Sequence, residues 1–370
     1  MVERDGDVTS DHPNQGDLRL PTRGRRVRAA DVAAAAGVSI STVSLVVNDK
    51  WEGRVAPDTV ARIRDEVARL GYVVDESARR LAIGAAGAVA VVTPAFTNPF
   101  YARVSVGAAA ALGAAYQVVF SVPEIDEDPV EMLVRLRGLR LAGALIAAPS
   151  EDVLRWLPAD LPAVLLDAPG AGDGRPRVDL DVADGAVQVA EHLLALGHRR
   201  VAFMAATPET DTFVVRRTRL RDALVAGGAT VFAPDALRSE VDAGAAYRAA
   251  SAAIPALLGS AVTAVVCATD LHAYGLLRAC GDHGVEVPGR WSVVGFDDQP
   301  LSAFLTPPLT SVSLPADELG RSAGTLLAEL IAGGADAEPP AGAVRERPSV
   351  RVLPVSLAVR ASTGPAAPSA

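Results

Sequence analysis

Residues 30–48 read ADVAAAAGVSISTVSLVVN, and this stretch decides the architecture at the start of the chain. It consists almost entirely of alanine, valine and serine, with Asp31 as its only charged residue. Gly37 tolerates the positive φ of a tight turn and Ser39 is a good N-cap, so the pattern predicts helices over residues 29–36 and 40–47. Two short helices joined by a glycine-containing turn have the spacing of a helix-turn-helix.

The second helix of this pair has two interpretations, a structural hairpin or a DNA-reading element. Small residues at 33–36 let two helices approach closely, which explains the alanines without any function. A DNA-reading helix would instead use the side chains near its start, since hydroxyls bond base edges or phosphates and methyl groups contact thymine. Those side chains are Ile40, Ser41, Thr42, Ser44 and Leu45. The helix pattern alone leaves both interpretations open.

Charge is unevenly distributed along the 370 residues, whose formal net charge is −9. Residues 19–80 contain twelve basic and eight acidic side chains, whereas residues 1–18 and the rest of the chain carry an excess of acid. A small basic module ahead of a large acidic one is compatible with local nucleic-acid binding.

Several features exclude other classes of protein. Cys267 and Cys280 lack metal-ligand spacing and are expected to be reduced structural thiols. The histidines show no metal-binding spacing, so neither a metal nor a cofactor is expected. No apolar run is long enough to span a membrane, and the polar, acidic first residues do not resemble a signal peptide. Together these features predict a cytoplasmic protein.

Beyond residue 87, apolar runs alternate with amphipathic helical segments. Such alternation predicts βαβ units and parallel sheets buried on both faces. There are too many runs for one small sheet, so we expect two α/β lobes, with a ligand between them beyond the carboxyl ends of the strands. The runs are residues 88–92, 116–120, 143–147, 162–166, 201–204, 263–267 and 291–296.

Two rival functions find little support in the residues. A hydrolase needs a nucleophile and a base, but residues 104–107 lack the leading glycine of a nucleophile elbow, and no serine is placed to join Asp270 and His272 in a triad. A solute-binding protein would need a secretion signal and would not carry a helix-turn-helix. The chain is therefore not expected to be an enzyme.

Motifs along almost the whole chain carry a family resemblance. Residues 32–48 match V-A-A-x-A-G-V-S-x-S-T-V-S-x-V-V-N, and eight shorter matches follow in order. They are residues 55–63, 69–72 (RLGY), 78–81 (ARRL), 98–101 (NPFY), 196–200 (LGHRR), 293–298 (VVGFDD), 305–310 (LTPPLT) and 353–363. This series resembles the lactose-repressor (LacI) family of bacterial transcription regulators.

The resemblance implies an α plus α/β architecture with defined domains. A three-helix DNA-binding domain would cover residues 27–74, and a hinge helix with its linker would cover residues 75–87. A two-lobed domain, similar to periplasmic binding proteins, would bind ligand and dimerise over residues 88–363. The composition of residues 1–26 and 364–370 predicts disordered tails.

The resemblance also assigns DNA-binding positions. Ile40, Ser41 and Ser44 would face bases, while Thr42 would contact the DNA backbone or support the helix. Leu81, from each hinge helix of a dimer, would be the apolar wedge that opens the minor groove. Leu45 stands where many members carry arginine, which removes one expected contact. The complete predicted set is Ile40, Ser41, Thr42, Ser44, Leu45, Asn48, Arg54, Ala78 and Leu81.

Four residues fall at ligand-contacting positions of the family: Phe100, Arg216, Thr269 and Asp297. A carboxylate that accepts hydroxyl donors and a forked guanidinium suit polyols, sugars or nucleobases. The implied protein is a homodimeric repressor of a palindromic operator, controlled by a small-molecule effector that acts as inducer or corepressor. One departure concerns stability, because Arg28 and Ala56 replace the usual serine or threonine helix caps.

Overall fold

The computed structural model divides the chain into two compact units, Met1–Gly84 and Ala85–Ala370, called the N-terminal and C-terminal units below. Each has its own hydrophobic core. The structure describes residues 27–47, 50–72, 87–94, 97–121, 131, 141–171, 174–207, 209–232, 237–334 and 350–367.

The N-terminal unit is built from α1 (Ala29–Ala36), α2 (Ile40–Val47) and α3 (Pro57–Leu70). Gly37 ends α1 with a φ of +63°, and the chain bends by 104° between α1 and α2, which is helix-turn-helix geometry. None of the described helices is long and apolar enough to cross a membrane alone; α1 and α2 reach that length only as a bent pair. The buried core side chains are Val32, Ala33, Ala36, Val43, Val46, Val60 and Ile63.

The three helices of the N-terminal unit begin with different capping contacts. The hydroxyl oxygen of Ser39 accepts a hydrogen bond from the backbone N–H of Thr42 at 3.1 Å, which confirms the predicted N-cap of α2. Ala56 precedes α3 and has no polar side-chain atom to cap it. At α1 the Asp31 carboxylate accepts a bond from the backbone N–H of Arg28 at 2.8 Å, which fixes the chain at the helix entrance.

Two mainly parallel sheets organise the C-terminal unit. Their strands are β1 (Ala88–Val92), β2 (Gln117–Ser121), β3 (Gly143–Ala147), β4 (Ala163–Leu166), β5 (Arg177–Leu180), β6 (Arg200–Thr207), β7 (Thr230–Phe232), β8 (Arg238–Glu240), β9 (Ala264–Cys267), β10 (Ser292–Asp297), β11 (Thr310–Ser313), β12 (Val350–Leu353) and β13 (Ser356–Ala358). The first sheet has the order β12-β5-β4-β3-β1-β2. The second has the order β13-β11-β10-β9-β6-β7, with β8 paired to β6. Within these sheets only β13 runs antiparallel to its described neighbour.

Helices cover the sheets and complete two lobes, as predicted. The first lobe contains α4 (Pro99–Leu112), α5 (Glu151–Trp156) and α10 (Ala316–Gly334) with the first sheet. The second lobe contains α6 (Val182–Ala195), α7 (Asp211–Ala226), α8 (Ala243–Gly259) and α9 (Asp270–Asp282) with the second sheet. Strands β1, β3, β4, β9 and β10 are buried along nearly their whole length, which explains their continuous apolar sequences.

The chain passes between the lobes three times within the described residues. Asp181 joins β5 to α6, Leu314 and Pro315 join β11 to α10, and Pro354 and Val355 join β12 to β13. The first connector is bonded to the end of β12, because the N–H of Asp181 donates to the carbonyl of Leu353 at 2.9 Å.

Helices α4 and α10 of the first lobe pack backbone against backbone. A Cβ at Gly107 would collide with the carbonyl oxygen of Asp317, and one at Gly320 would collide with that of Val104. Arg103 adds an ion pair to Asp317 at 2.7 Å. These two glycines are therefore required by the close approach of the helices.

The second lobe extends beyond its predicted end at residue 363. The prediction of a disordered tail from residue 364 is wrong for residues 364–367, because backbone bonds fix them to the lobe. The N–H of Ala366 donates to the carbonyl of Leu196 at 2.8 Å, and Gly364 exchanges bonds with the Ser292 hydroxyl. From the sequence, His198 is expected only as a loop residue. Its Nε2 lies 2.9 Å from the Ser292 hydroxyl and 3.1 Å from the carbonyl oxygen of Gly364, so it contacts this segment directly.

Candidate functional site

The outward face of α2 is small and uncharged. Ile40 is 54% exposed, and Ser41 and Ser44 are also exposed. Thr42 and Leu45 are partly buried. The two interpretations of this helix are therefore compatible, because its valines fill the core while a different set of side chains faces outward.

Three hydroxyls meet at the start of α2. The Ser39 oxygen lies 2.7 Å from the Ser41 hydroxyl and 2.8 Å from the Thr42 hydroxyl. It also accepts the Thr42 backbone N–H. The hydroxyls of Ser41 and Thr42 are thus tied to one common partner.

The turn between α2 and α3 adds basic and aromatic groups. Arg54 is exposed, and its N–H donates to the carbonyl of Trp51 at 2.9 Å. The guanidinium of Arg64 lies 5.7 Å from the centroid of the Trp51 ring, which is a cation–π contact. The other predicted DNA contacts lie outside the described residues: Asn48, Ala78 and Leu81.

Arg216 occupies the centre of a buried polar cluster in the C-terminal unit. Its side chain, on α7, is 3% exposed. It donates to the carbonyl of Ala268 at 3.0 Å and to the Asp297 carboxylate at 3.5 Å, and lies 3.8 Å from the Asp167 carboxylate. Phe213 and Phe296 place their rings 5.3 and 4.9 Å from its guanidinium carbon. The guanidinium is held by two carboxylates and two aromatic rings.

The two carboxylates stand at the carboxyl ends of strands in different lobes. Asp297 ends β10 with a φ of +117°, and Asp167 follows β4 with a φ of +48°. Ala148, which follows β3, also has a positive φ, of +42°. Non-glycine residues in such conformations are strained, and they cluster at binding sites. Three such residues thus lie where the carboxyl ends of the strands meet, which makes this edge of the sheets the candidate site.

Burial changes the proton affinity of the cluster. It raises the pKa of Asp297 to about 6, against the opposing effect of Arg216. It raises the pKa of Asp167 as well, again opposed by Arg216. Tyr101, beside them, has a raised pKa because of burial and the two nearby carboxylates. Because the cluster is buried, the charged form of each group is stabilised by its oppositely charged partner and not by water.

Asp270 is a separate buried carboxylate at the base of the cluster. It accepts the backbone N–H of Gln299 at 2.8 Å and the hydroxyls of Ser302 and Ser311. Burial, and then the charge of Asp297, raise its pKa to about 8. Its partners are structural groups that fix the loop after β10.

Thr269 and His272 pair with each other rather than with Arg216. The Thr269 hydroxyl lies 2.7 Å from Nδ1 of His272 and caps the start of α9. Burial lowers the pKa of His272 to about 4, so this histidine is neutral at pH 7. Asp270 and His272 thus have different partners, and the described residues contain no catalytic triad built on them.

Two hydrogen bonds connect the lobes beside the cluster. Nε2 of Gln299 donates to Oδ1 of Asn98 at 2.9 Å, and the same Asn98 oxygen accepts the N–H of Phe100 and caps α4. The hydroxyl of Thr212 donates to Asp167 at 3.1 Å. The backbone N–H of the predicted residue Phe100 therefore shares a partner, Asn98, with a hydrogen bond that joins the lobes.

A cavity of about 510 Å³ has lining residues from both lobes, and Gly170 and Asp211 among them lie a few residues along the chain from Asp167 and Arg216. It lies beyond the carboxyl ends of β1 and β3, and the start of α7 closes its other side. Its charged lining residues are Glu151, Glu209 and Asp211, and none of its described lining residues is basic. Thr93, which is 1% exposed, also lines it and has a hydroxyl without a hydrogen-bond partner among the described residues.

The structure brings together two of the four predicted ligand residues by direct contact, Arg216 and Asp297. Thr269 and Phe100 flank them, and none of the four lines the cavity itself. Sequence reasoning missed Asp167, Gln299 and Asn98, although the position of Asp167 after a buried strand was an available signal. The described residues include no cluster able to hold a metal ion, and both cysteines are buried free thiols.

Comparison with known proteins matches two separate segments of the chain. Residues 30–75 match the family model "Bacterial regulatory proteins, lacI family", and residues 190–363 match the periplasmic binding protein-like domain. The HTH-type transcriptional regulator MalR of Streptomyces coelicolor is 34% identical over 324 residues, covering 83% of this chain and 90% of that relative.

Solved structures extend the likeness over both units. A transcriptional regulator CelR–cellobiose complex is 28% identical, with a TM-score of 0.65 and coverage of 91% of this chain and 100% of that one. A lac repressor dimer bound to operator and the anti-inducer ONPF is 26% identical, with a TM-score of 0.72 and coverage of 92% and 100%.

Sequence motifs, helix-turn-helix geometry, the two-lobed fold and these relatives agree. In helix-turn-helix regulators the second helix enters the major groove, and in open α/β sheets ligands bind beyond the carboxyl ends of the strands. Helix α2 is the second helix of this motif, and Asp297 and Asp167 stand at such strand ends. This chain belongs to the lacI family and is a DNA-binding transcriptional regulator.

Proposed function

We propose that this regulator is a repressor whose operator affinity is set by a neutral, hydroxyl-rich effector, a sugar or polyol, bound between the lobes. The observation that carries the proposal is the cluster of Arg216, Asp167 and Asp297, which joins the two lobes and is buried. A ligand that bonds this cluster contacts both lobes at once. It therefore favours one arrangement of the lobes over another.

The unpaired polar atoms of the cluster indicate the chemistry of the effector. Oδ2 of Asp297, Nε of Arg216 and Oε1 of Gln299 are buried without a hydrogen-bond partner among the described residues. Two of these are acceptors and one is a donor. A hydroxyl group both donates and accepts, so neighbouring hydroxyls on one ligand satisfy all three. Buried polar groups left unpaired cost free energy, which gives a polyol a large advantage.

The charges argue against an anionic effector. Arg216 is the basic side chain of the cluster, and two carboxylates already neutralise it. The cavity beside it carries Glu151, Glu209 and Asp211. Glu209 is paired with Arg217 at 2.5 Å, and a phosphate or carboxylate entering this site would still meet the negative charges of Glu151 and Asp211. The CelR structure with cellobiose, a neutral disaccharide, supports the same class of ligand.

On the DNA side, we expect two copies of α2 to enter successive major grooves of a palindromic operator. Ile40, Ser41 and Ser44 would contact bases, with Thr42 and Arg54 at the backbone. Leu81 remains the predicted minor-groove wedge. Because this activity takes place on chromosomal DNA, the proposal includes a cytoplasmic protein that regulates transcription without catalysing a reaction.

The test uses the full chain and DNA from upstream of its own gene. Fluorescence anisotropy at several salt concentrations should detect specific binding, and thermal shift should detect cellobiose, glucose or ribose but not glucose 6-phosphate. Asp297→Ala should abolish the sugar response and retain DNA binding, while the exposed-residue control Asp160→Ala should keep both. If the wild-type protein shows no specific DNA binding, the proposal that it is a repressor is wrong. If glucose 6-phosphate raises the melting temperature more than the neutral sugars do, the proposal of a neutral effector is wrong.

A further inference from the structure

The number of hydrogens and lone pairs limits how the three hydroxyls at the start of α2 bond one another. Each serine or threonine hydroxyl has one hydrogen and two lone pairs. The Ser39 hydroxyl oxygen uses one lone pair for the Thr42 N–H, at 3.1 Å, a hydrogen that it shares with the Ser39 carbonyl oxygen at 3.0 Å. It has one lone pair and one hydrogen left for the hydroxyls of Ser41 and Thr42, at 2.7 and 2.8 Å. One of these two must therefore donate to Ser39, and the other must accept from it.

This count links what the two hydroxyls offer to DNA. The hydroxyl that donates to Ser39 has only lone pairs left and acts as an acceptor. The hydroxyl that accepts from Ser39 keeps its hydrogen and acts as a donor. Phosphate oxygens accept hydrogen bonds only, so if Thr42 contacts a phosphate it must be the donor. Ser41 is then an acceptor.

We propose that Ser39 is a positioning residue that fixes Ser41 as a hydrogen-bond acceptor, so that Ser41 reads the amino group of adenine or cytosine in the major groove. The inference rests on the proposed role of α2 in DNA recognition. In the major groove adenine N6 and cytosine N4 are the donors, whereas guanine and thymine present acceptors. Ser39 acts through Ser41 without contacting the base.

The experiment uses the full-length protein and an operator chosen by selection from random DNA. Each half-site base is replaced in turn by an analogue that lacks only the amino group, purine for adenine or 2-pyrimidinone for cytosine. A second series uses 7-deazapurines, which lack only the N7 acceptor. We expect one position where loss of the amino group weakens wild-type binding three- to tenfold and has under a twofold effect on Ser41→Ala.

Two variants test the coupling. Ser39→Gly keeps an acceptable N-cap, and Thr42→Val keeps the side-chain shape. Both release the Ser41 hydrogen, so that Ser41 can donate as well as accept. The amino-group effect should therefore become smaller than in wild type, and in Thr42→Val sensitivity to the N7 deletion should appear. Ser39→Thr and Thr42→Ser retain the hydroxyls and should behave as wild type.

Three outcomes would overturn the inference while leaving the proposed function intact. They are an unchanged amino-group effect in Ser39→Gly, a Ser41-dependent position sensitive to N7 instead of the amino group, and the absence of any Ser41-dependent position. Failure to select any operator would overturn the proposed function itself, and this inference with it.

Discussion

The two candidate recognition surfaces of this chain have opposite physical characters. The face of α2 is exposed and uncharged, and its hydroxyls bond one another at 2.7 and 2.8 Å. The cluster around Arg216 is almost completely buried and consists of charges that depend on one another. The first can therefore change without affecting the fold, whereas the second contributes to the stability of its own domain. Specificity for DNA and response to a ligand are separable properties here.

The largest effect should come from removing the central cation. Arg216→Met leaves Asp167 and Asp297 buried without their partner, so we expect a loss of about 3–5 kcal/mol in the free energy of unfolding of the C-terminal unit. Urea denaturation measures it, with the exposed Arg219→Met as the control. If both variants lose the same small free energy of unfolding, the cluster does not contribute to the stability of its domain.

A second effect should appear in the pH dependence of stability. The pKa of Asp297 is raised from 3.8 to about 6 in the folded state. Between these values the native state binds more protons than the unfolded state, so its stabilisation is complete below pH 4 and is lost as the pH rises through 6. Asp270 and Asp167 act in the same direction.

Asp297→Asn should flatten that decline. Unfolding free energies at pH 4.5 and pH 7 should differ less in the variant than in wild type, with the remaining slope due to the other buried carboxylates. An identical slope in both proteins would show that Asp297 does not titrate in this range.

The smallest effect on stability should come from a substitution on α2. Leu45→Arg places a cation on a partly buried position beside DNA. We expect the slope of log affinity against log salt to steepen by about 0.9, the value for one added phosphate contact, with stability changed by no more than about 0.5 kcal/mol. Operator titrations at 50–200 mM salt measure it. An unchanged slope would place residue 45 away from the phosphates.

Local features were predictable from the residues in a way that long-range contacts were not. Helices α1 and α2, and strands β1 and β3, have the predicted bounds because their limits are set by neighbouring caps, glycines and apolar runs. The partnership of Asp167 with Arg216, and of Asn98 with Gln299, joins residues far apart in the chain. Only the fold brings these groups together, so no local pattern reports them.

The tail after residue 363 illustrates the same limit. Its glycines, prolines and alanines have the composition of a disordered segment, but buried partners on the second lobe accept its backbone bonds. Composition describes the segment alone and contains no information about His198 and Ser292, the residues that it contacts. Similarly, the spacing of Ser39, Ser41 and Thr42 was visible, whereas the sharing of one oxygen required distances.

The three connectors between the lobes limit the degrees of freedom of the whole domain. A single tether would let the lobes swivel in any direction. Three short connectors, with Asp181 of the first bonded to Leu353 at the end of β12, resist twisting and sliding and leave bending as the soft motion. The binding energy of a ligand at the cluster is then not dispersed over many movements. It acts on one motion, the bending that changes the angle between the lobes.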